Sequence, residues 1–594
     1  MLAAKVQAGE LPPVEERLPL SPRVVEPVEE IGQYGGTWRQ VHIGTSDLMQ
    51  NYYIFQERGG MFSPDFAEIV PAAFAGWEVS DDASEFTIHM REGMRWSDGA
   101  PFTADDIMFW YEDVVLNDEL SPTKPASLKR GGQLGVFEKV DDYTVKIRFA
   151  GPYGAFLNFL PTLFPFAPKH YLSQFHPAYT EKAALDKKVA EAELDTWTDL
   201  WAQKVAFSNN PGTPTIDPWV VTNSVDQPIQ VLERNPYYYS VDTAGNQLPY
   251  IDRFERTLVP DVEALLLKAI AGDVDFQARR IASLGNRPVV MENQEKGDYR
   301  VIDMIFNTAN LGTIFFNYSH PNEELRKLFR NKDFRVALSI AINRQEISDL
   351  IFKGIGEPGQ VTSSGPYYDE AAWNANIGYD AEAANKMLDD LGLTERDDDG
   401  FRLLPDGSRI SIVNIAFTPW PPDNVEMQQL VKEYMADVGI EMLVTPTDRQ
   451  LWVTRVQAAD FDVASYAQSW GDPGWAPFTR QVFGVTAREY WAVMWSLWHA
   501  SGGAEGEEPP EEVKRLQAMY EQVMAEPDMQ KRIDLQKEAM AMHAEYCWEI
   551  GLIARPLAEQ FGIAKNNFRN VPTGDRLVLE PHISVPAAQF FFKS

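Results

Sequence analysis

The hydrophobic and polar residues of segment 71–111 follow two periods in succession. Apolar residues alternate with polar ones over 86–90, which is the period of a strand with one buried face. After a polar turn, Thr103 can cap a helix with its hydroxyl, and Asp106 is placed to complete the capping box. The segment therefore predicts a strand, a turn and a helix whose apolar face carries Ile107, Trp110, Tyr111 and Val114.

A second pattern lies further along the chain. Alternation predicts strands at 410–417 and 440–444, and apolar residues at helical spacing between them predict a helix that ends at Gly439. This order of strand, helix and strand implies a parallel sheet covered by helices. The segment 332–344 is apolar nearly all round a helix, so we expect it to be buried.

The composition excludes several classes of protein. A length of 594 residues predicts about two to four domains, and a hydrophobic fraction of 44% allows large cores. With 53 basic and 87 acidic residues the net charge is −34, so the chain should repel nucleic acids and anionic membrane surfaces. The single cysteine, Cys547, excludes a disulfide framework and a cysteine-rich metal site. No apolar run approaches the roughly 18 residues of a membrane span.

One motif within 71–111 is more specific than these patterns. It reads R-x-G-x-x-W-S-D-G-x-P-x-T-A-x-D-I and resembles the signature of the family-5 extracytoplasmic solute-binding proteins, the peptide, oligosaccharide and nickel receptors of ABC importers. The segment 332–344 resembles a second landmark of that family, although Ala337 stands where a second arginine is usual. The residues that fit the signature are Arg91, Gly93, Trp96, Ser97, Asp98, Gly99, Pro101, Thr103, Ala104, Asp106 and Ile107.

The resemblance implies an α/β protein with the bilobal fold of the periplasmic binding proteins. We expect the type II form of the large cluster, with mixed sheets flanked by helices, a hinge between the lobes and an extra domain packed on lobe I. The predicted domains are an extended arm at 1–31, lobe I at 32–60, 180–305 and 545–594, the extra domain at 61–179, and lobe II at 306–544.

The resemblance also implies where a ligand binds in the first lobe. In the family, the stretch equivalent to 45–55 passes along the ligand cleft. Asn51, Tyr52 and Tyr53 are therefore candidate ligand contacts. The alternative is that these tyrosines belong to the core.

The segment 464–478 holds the other candidates. In peptide-binding members of the family, an aspartate shortly after a tryptophan pairs with the α-ammonium of the ligand, and Asp472 lies near that place, one residue closer to Trp470 than in the family pattern. Trp470 and Trp475 stand on a stretch broken by glycine and proline, and Trp420 belongs to the same tryptophan-rich region. Because indole faces stack on the C–H faces of sugars, we prefer an oligosaccharide to an oligopeptide as the ligand.

The sequence holds no motif of an enzyme, and we expect no catalytic residue, no metal and no cofactor. There is no phosphate-binding loop, no H-E-x-x-H, no G-x-S-x-G and no G-x-G-x-x-G. An enzyme such as a glycoside hydrolase with paired carboxylates is the second class considered, since 87 acidic residues leave room for such a pair. A scaffold or chaperone of the same fold is the third.

The resulting hypothesis is a soluble, monomeric receptor that closes two lobes around an oligosaccharide and delivers it to an ABC permease in the membrane. An oligopeptide is the alternative ligand. Such a receptor is periplasmic or extracytoplasmic, yet residues 1–19 contain no hydrophobic signal region and no lipidation cysteine. We therefore expect the export signal to be missing from this sequence; a cytoplasmic protein is the alternative.

Overall fold

The computed structural model describes residues 1–45, 56–64, 68–305, 310–362, 367–418, 423–468, 480–486, 490–554, 561–578 and 585–594. At residues 305, 480, 481 and 574–578 it describes the backbone only. The chain divides into two compact units. The first unit comprises Met1–Ile305 and Glu559–Ser594, and the second unit comprises Phe306–Ala558.

The strands are numbered in chain order. In the first unit up to residue 305 they are β1 (Arg23–Val25), β2 (Thr37–Ile43), β3 (Gly60–Phe62), β4 (Ile69–Pro71), β5 (Phe74–Val79), β6 (Glu85–Met90), β7 (Lys129–Arg130), β8 (Gln133–Leu134), β9 (Val136–Asp141), β10 (Thr144–Arg148), β11 (Trp219–Val221), β12 (Ile229–Arg234), β13 (Ser240–Asp242), β14 (Arg253–Val259), β15 (Phe276–Gln277) and β16 (Tyr299–Ile305). In the second unit they are β17 (Asn310–Phe316), β18 (Glu357–Pro358), β19 (Ser411–Thr418), β20 (Glu441–Asp448), β21 (Val463–Gln468), β22 (Glu549–Ile550) and β23 (Ile553–Ala554). The first unit ends with β24 (Phe561–Lys565), β25 (Phe568–Arg569), β26 (Gly574–Val578) and β27 (Phe591–Phe592).

The α-helices are numbered in the same way. Those of the first unit are α1 (Leu2–Gln7), α2 (Ala104–Phe109), α3 (Lys169–Leu172), α4 (Lys182–Glu191), α5 (Trp197–Val205), α6 (Val262–Ile270), α7 (Asn286–Glu292) and α8 (Gln294–Gly297). Those of the second unit are α9 (Glu323–Arg330), α10 (Lys332–Ile340), α11 (Arg344–Ile351), α12 (Glu370–Trp373), α13 (Ala381–Asp390), α14 (Asn424–Asp437), α15 (Arg449–Gln457), α16 (Arg480–Phe483), α17 (Val493–Ala500), α18 (Glu511–Ala525) and α19 (Met529–Tyr546). Short 3-10 helices lie at Val14–Glu16, Ala126–Leu128, Phe156–Phe159, Ser173–Phe175 and Ala587–Gln589.

The described strands of the first unit include three four-stranded sheets. Their strand orders are β5-β6-β10-β9, β11-β12-β14-β2 and β15-β24-β16-β26. Strand β2 pairs in parallel with β14, so the carboxyl ends of these two strands lie at the same edge. Trp38 on β2 is fully buried, with ring contacts to Trp219 at 5.9 Å and Phe254 at 4.9 Å. These aromatic rings form the centre of the core between two of the sheets.

The predicted strand, turn and helix in the first unit are confirmed. Along β6 the burial alternates residue by residue, as the sequence period requires. Thr103 and Asp106 form the capping box of α2, in which the Asp106 carboxylate accepts from the Thr103 backbone N–H at 2.9 Å and from Trp96 Nε1 at 3.2 Å. The helix continues beyond Phe109 as a π-helix to Val115. The signature motif therefore builds a self-capped turn and contributes to the scaffold.

In the described part of the second unit, one mixed sheet has the order β18-β23-β17-β21-β19-β20, with β22 also paired to β17. Strand β19 is parallel to both β20 and β21, and α14 connects β19 to β20, which confirms the predicted unit of strand, helix and strand. Gly439 follows α14 with a φ of 80°, a conformation that glycine adopts without strain. The segment predicted to be a buried helix forms α10, which buries Phe334 and Leu338.

Two details differ from the expectations. The segment 1–31, expected to be an extended arm, contains α1 and the strand β1, which pairs in parallel with β13. The chain returns to the first unit after Ala558, whereas lobe I was expected to resume at residue 545. The difference arises because β22 and β23 pair with β17 of the second unit. The rest of the predicted division, including an extra domain at 61–179, stays a prediction.

Candidate functional site

All seven residues predicted to contact a ligand lie outside the described residues. Their role as ligand contacts therefore stays a prediction, and the described chain on either side of them provides the observations below. The seven are Asn51, Tyr52, Tyr53, Trp420, Trp470, Asp472 and Trp475.

In the second unit, two neighbouring parallel strands end directly before the segments that contain four of these residues. In the paired register, Ala416 of β19 lies opposite Ser465 of β21. Strand β19 ends at Thr418 and β21 at Gln468, so their carboxyl ends lie at one edge of the sheet. In open α/β sheets, ligands bind outside the carboxyl ends of the strands. We name this edge of the second unit the β19/β21 edge.

Aromatic side chains cluster at the β19/β21 edge. Phe417 and Tyr466 have ring centroids 4.4 Å apart, and Trp452 lies 5.5 Å from Phe417 and 5.6 Å from Tyr466. Tyr490 packs on this cluster 4.9 Å from Trp452 and also contacts Phe315 of β17 at 5.5 Å, so it lies further from the ends of β19 and β21. Trp452 is fully buried and donates from Nε1 to the Ile415 carbonyl oxygen at 3.0 Å, which fixes its orientation. Tyr466 and Tyr490 are only half-buried, so part of the aromatic surface remains accessible.

The chemistry of this cluster suits an uncharged polar ligand. Burial raises the pKa of the Tyr466 phenol above its ordinary value, so the hydroxyl stays neutral and can both donate and accept. Aromatic faces stack on apolar C–H surfaces, and phenol groups bond to hydroxyls. Sequence reasoning missed Phe417, Tyr466 and Tyr490. Two of them could have been found from the sequence. Phe417 lies at the carboxyl end of a predicted strand, and Tyr466 lies close to the carboxyl end of the strand next to it.

The side-chain amide of Asn424 joins the two strand ends. Asn424, at the start of α14, donates from Nδ2 to the Phe417 carbonyl oxygen at 3.0 Å and to the Ser465 carbonyl oxygen at 3.2 Å. Asn424 is fully buried. Gln428 lies one turn further along α14 and donates from Nε2 to the Gly312 carbonyl oxygen of β17 at 3.0 Å. These amides position the aromatic cluster through the backbone of the sheet.

The first unit has a different arrangement beside Asn51, Tyr52 and Tyr53. The segment 46–55 follows β2 in the chain, and Glu57 stands just beyond it. The Glu57 carboxylate accepts from the hydroxyls of Tyr238 and Tyr239 at 2.5 Å each. Arg23 Nη1 lies 3.7 Å from the same carboxylate, which is only 11% exposed.

Asp217 fixes the backbone of Glu57. The Glu57 N–H donates to Asp217 Oδ1 at 2.8 Å, and Asp217 is 4% exposed. Burial, together with the nearby charge of Glu57, raises the pKa of Asp217 to about 7. Burial also raises the pKa values of Tyr238 and Tyr239 well above the ordinary range, so both phenols stay protonated donors. We name Glu57, Asp217, Tyr238 and Tyr239 the Glu57 network.

Metal binding has no support in the described residues. Within those ranges, no group of three or more His, Cys, Asp or Glu side chains could hold a metal ion. The acidic turn at 397–400 is held by Arg409, which pairs with Asp397 at 2.6 Å and also contacts Asp399. Arg409 further pairs with Glu441 of β20 at 2.8 Å. The turn is therefore a salt-bridged part of the second unit.

Comparison with solved structures defines the class of fold. A structure of an oligopeptide-binding protein OppA matches with a TM-score of 0.85 at 38% identity, covering 100% of this chain and 96% of that chain. The periplasmic binding protein MelB of Agrobacterium fabrum, solved in complex with stachyose, matches with a TM-score of 0.70 at 24% identity, covering 99% and 90% of the two chains. The fold is thus that of the periplasmic binding proteins, as expected.

Sequence comparison adds the family. The sequence-family model described as bacterial extracellular solute-binding proteins, family 5 Middle, matches residues 68–489 of this chain. The chain belongs to this family. The periplasmic alpha-galactoside-binding protein of Rhizobium meliloti is 28% identical over 618 aligned positions, covering 96% of this chain and 83% of the relative. Of the helices in the described ranges, none combines the length and the apolar character needed to cross a membrane.

Proposed function

We propose that this chain is the substrate-binding receptor of an ABC importer and that its ligand is an oligosaccharide of the α-galactoside type. The observation that carries the choice of a sugar is the aromatic cluster at the β19/β21 edge. Phe417, Trp452 and Tyr466 lie together there with Tyr490 packed against them, and the rings of Tyr466 and Tyr490 are partly exposed. Rings with neutral phenol groups match the alternating C–H and hydroxyl surface of a sugar.

Two relatives support this choice. The Rhizobium meliloti relative is named for alpha-galactosides and aligns with 96% of this chain. The Agrobacterium fabrum protein was solved with stachyose, an oligosaccharide that contains α-galactosyl units. The predicted stacking residues Trp420, Trp470 and Trp475 follow β19 and β21 directly in the sequence, which is why we assign them to the same ligand.

An oligopeptide is the second candidate ligand. The structure with 38% identity to this chain is that of a protein named for oligopeptides. In this case Asp472 would pair with the α-ammonium of the peptide. The two candidates make opposite predictions for Asp472, because a sugar carries no ammonium group to pair with it.

Thermal unfolding with two panels of ligands separates the candidates. One panel contains raffinose, stachyose and maltotriose, and the other contains unmodified di- to pentapeptides. A ligand at 100 times its Kd adds about 2.7 kcal/mol to the free energy of unfolding, which raises the Tm measurably. We expect a shift with raffinose and stachyose. A shift with peptides alone, abolished by Asp472→Ala, would replace the sugar by a peptide.

We further propose that the ligand is bound and released unchanged. In this proposal the chain is a monomer, works outside the cytoplasmic membrane and passes its ligand to a membrane permease after the two lobes close. Incubation with stachyose followed by chromatography should return stachyose only, and release of galactose would indicate a hydrolase instead. A smaller radius of gyration in the presence of ligand, measured by small-angle X-ray scattering, would support closure.

A further inference from the structure

The second unit contains a cavity at the edge of the sheet opposite the β19/β21 edge. Strand β17 runs antiparallel to β21, and Phe316 at its end lies opposite Val463, the first residue of β21. Tyr318 follows two residues later and lines a cavity of about 480 Å³. This volume falls within the range of small-molecule sites in proteins. We name this space the Tyr318 cavity.

Two stacked aromatic pairs form much of its wall. The rings of Tyr318 and Trp495 are parallel within 8° at 4.9 Å, and those of Tyr546 and Trp548 are parallel within 9° at 4.9 Å. Trp495 is only 3% exposed, and its indole N–H has no hydrogen-bond acceptor in the described part of the chain. The indole nitrogen is itself fully buried, so this part of the wall offers aromatic surface and no hydrogen-bond donor to the cavity.

The cavity also carries cations that lack a carboxylate partner. Arg335 is 2% exposed, and its guanidinium donates to the carbonyl oxygens of Phe329 at 2.6 Å, Tyr546 at 2.5 Å and Cys547 at 2.8 Å. Its centre lies 5.3 Å from the ring of Tyr318. Carbonyl dipoles solvate this charge without neutralising it. An uncompensated cation in a poorly hydrated wall favours an anion nearby.

The remaining charges leave the cavity cationic. Lys332 is exposed, its Nζ lies 5.7 Å from the ring of Tyr546, and it has no ion pair among the described residues. Arg330 is paired with Glu507 at 2.5 Å, and Glu508 with Lys514 at 2.6 Å. Glu512 is the lining carboxylate that remains without an ion pair in the described ranges. Lys332 and Arg335 thus line the cavity without an ion pair, against Glu512 as the unpaired carboxylate. This local excess of positive charge contrasts with the net charge of −34 of the whole chain.

We propose that the Tyr318 cavity is a second ligand site, which binds a small aromatic carboxylate. The planar body stacks against the ring of Tyr546, which is partly exposed and whose inner face packs on Trp548. The carboxylate pairs with Lys332 in the field of Arg335. The site is independent of the oligosaccharide site, since its lining belongs to the opposite edge of the same sheet.

Isothermal titration calorimetry of the full chain tests the proposal with a matched pair of probes. Indole-3-acetate carries the carboxylate, and indole-3-acetamide has the same shape without the charge. We expect the acid to bind about tenfold more tightly than the amide, the size of effect that a charge-assisted hydrogen bond gives. Equal affinity of acid and amide, or no binding of either at millimolar concentration, would overturn the proposal.

Three variants locate the site and identify the charge that it recognises. Lys332→Gln should weaken binding of the acid about tenfold, whereas Lys432→Gln, a change at an exposed lysine outside the cavity, should leave it unchanged. Glu512→Gln should strengthen binding, because it removes a repelling charge. Weakening by Glu512→Gln, or an equal effect of both lysine changes, would contradict the assignment. Saturation with stachyose should not alter the affinity for the acid, and competition would place the acid at the sugar site instead.

Discussion

The β19/β21 edge of the second unit and the Glu57 network of the first unit lie beside predicted ligand-binding segments, but they are stabilised by different contacts. The β19/β21 edge is held by ring packing and by the neutral amide of Asn424. The Glu57 network is held by hydrogen bonds to buried carboxylates. Neutral contacts are insensitive to pH, whereas buried carboxylates couple stability to protonation. The two units should therefore respond differently to mutation and to pH.

The largest effect is expected from the double variant Tyr238→Phe/Tyr239→Phe. It leaves the Glu57 carboxylate in place but removes both hydroxyls that donate to it. Hydrogen bonds to charged groups contribute roughly 1.5–3 kcal/mol each, so the free energy of unfolding should fall by about 3–6 kcal/mol. Urea-induced unfolding measures the loss. The control Tyr143→Phe/Tyr379→Phe changes two phenols outside the network and should unfold at the wild-type midpoint.

The second prediction concerns pH and Asp217 in the first unit. Its pKa is raised to about 7 in the fold, against about 3.9 in an unfolded chain, so the folded state binds the additional proton between these values. The stabilisation from this group is complete below pH 4 and is lost as the pH rises towards 7. Asp217→Asn keeps an acceptor for the Glu57 N–H and should remove this dependence, on the order of 2–4 kcal/mol. Unfolding curves recorded at pH 4.5 and at pH 7.5 measure this dependence. If the free energy of unfolding changed between the two pH values by the same amount in the wild type and in Asp217→Asn, the prediction would be wrong.

His543 should give the second unit the opposite response. It is buried against Trp491 and Trp548, and its Nε2 donates to the Val482 carbonyl oxygen at 2.7 Å. Burial lowers its pKa to about 3, so stability is complete above pH 6.5 and is lost as the pH falls below it. His543→Gln keeps a donor and should make the second unit less sensitive to acid. Asp217→Asn serves as the control below pH 4, where the Asp217 carboxyl carries its proton in both the folded and the unfolded state, so its replacement should leave this part of the acid limb unchanged.

The smallest of these effects is expected at the β19/β21 edge. Asn424→Ala removes the amide that joins Phe417 and Ser465, which leaves two backbone carbonyls without that donor. The expected loss is about 1–3 kcal/mol, the same at pH 5 and at pH 7. Hydrogen exchange at the last residues of β19 and β21 should also accelerate. Asn374→Ala, which removes a bond within an exposed turn, should cause neither change.

The parts of this fold that the sequence predicted depend on local rules. The alternation in β6, the capping box of Thr103 and Asp106, and the glycine after α14 each involve residues within one turn or one strand. The family motif then placed these elements in a known architecture. The motif at 91–107 could be recognised from the sequence because its residues are close in the chain and contact one another, as Trp96 and Thr103 do with Asp106.

The candidate site was harder to predict because its contacts join distant segments. Glu57 and Tyr238 are 181 positions apart, and Asn424 bonds to a backbone carbonyl 41 positions away. Nothing in the residue types near Glu57 indicates that two tyrosines from another strand region donate to it. A carbonyl acceptor carries no sequence signal at all, since every residue has one. The seven residues chosen from the sequence stay a prediction for ligand binding.

Calorimetric titration of stachyose into the wild type and into Tyr466→Ala tests the central claim most directly, with Tyr379→Ala as a surface control. Tyr379 is 50% exposed and lies outside the aromatic cluster. We predict binding to the wild type and to Tyr379→Ala, and a loss of about tenfold in affinity for Tyr466→Ala, which corresponds to one lost stacking contact. If Tyr466→Ala bound stachyose as the wild type does, or if the wild type bound only peptides, the account of the β19/β21 edge as a sugar site would be wrong.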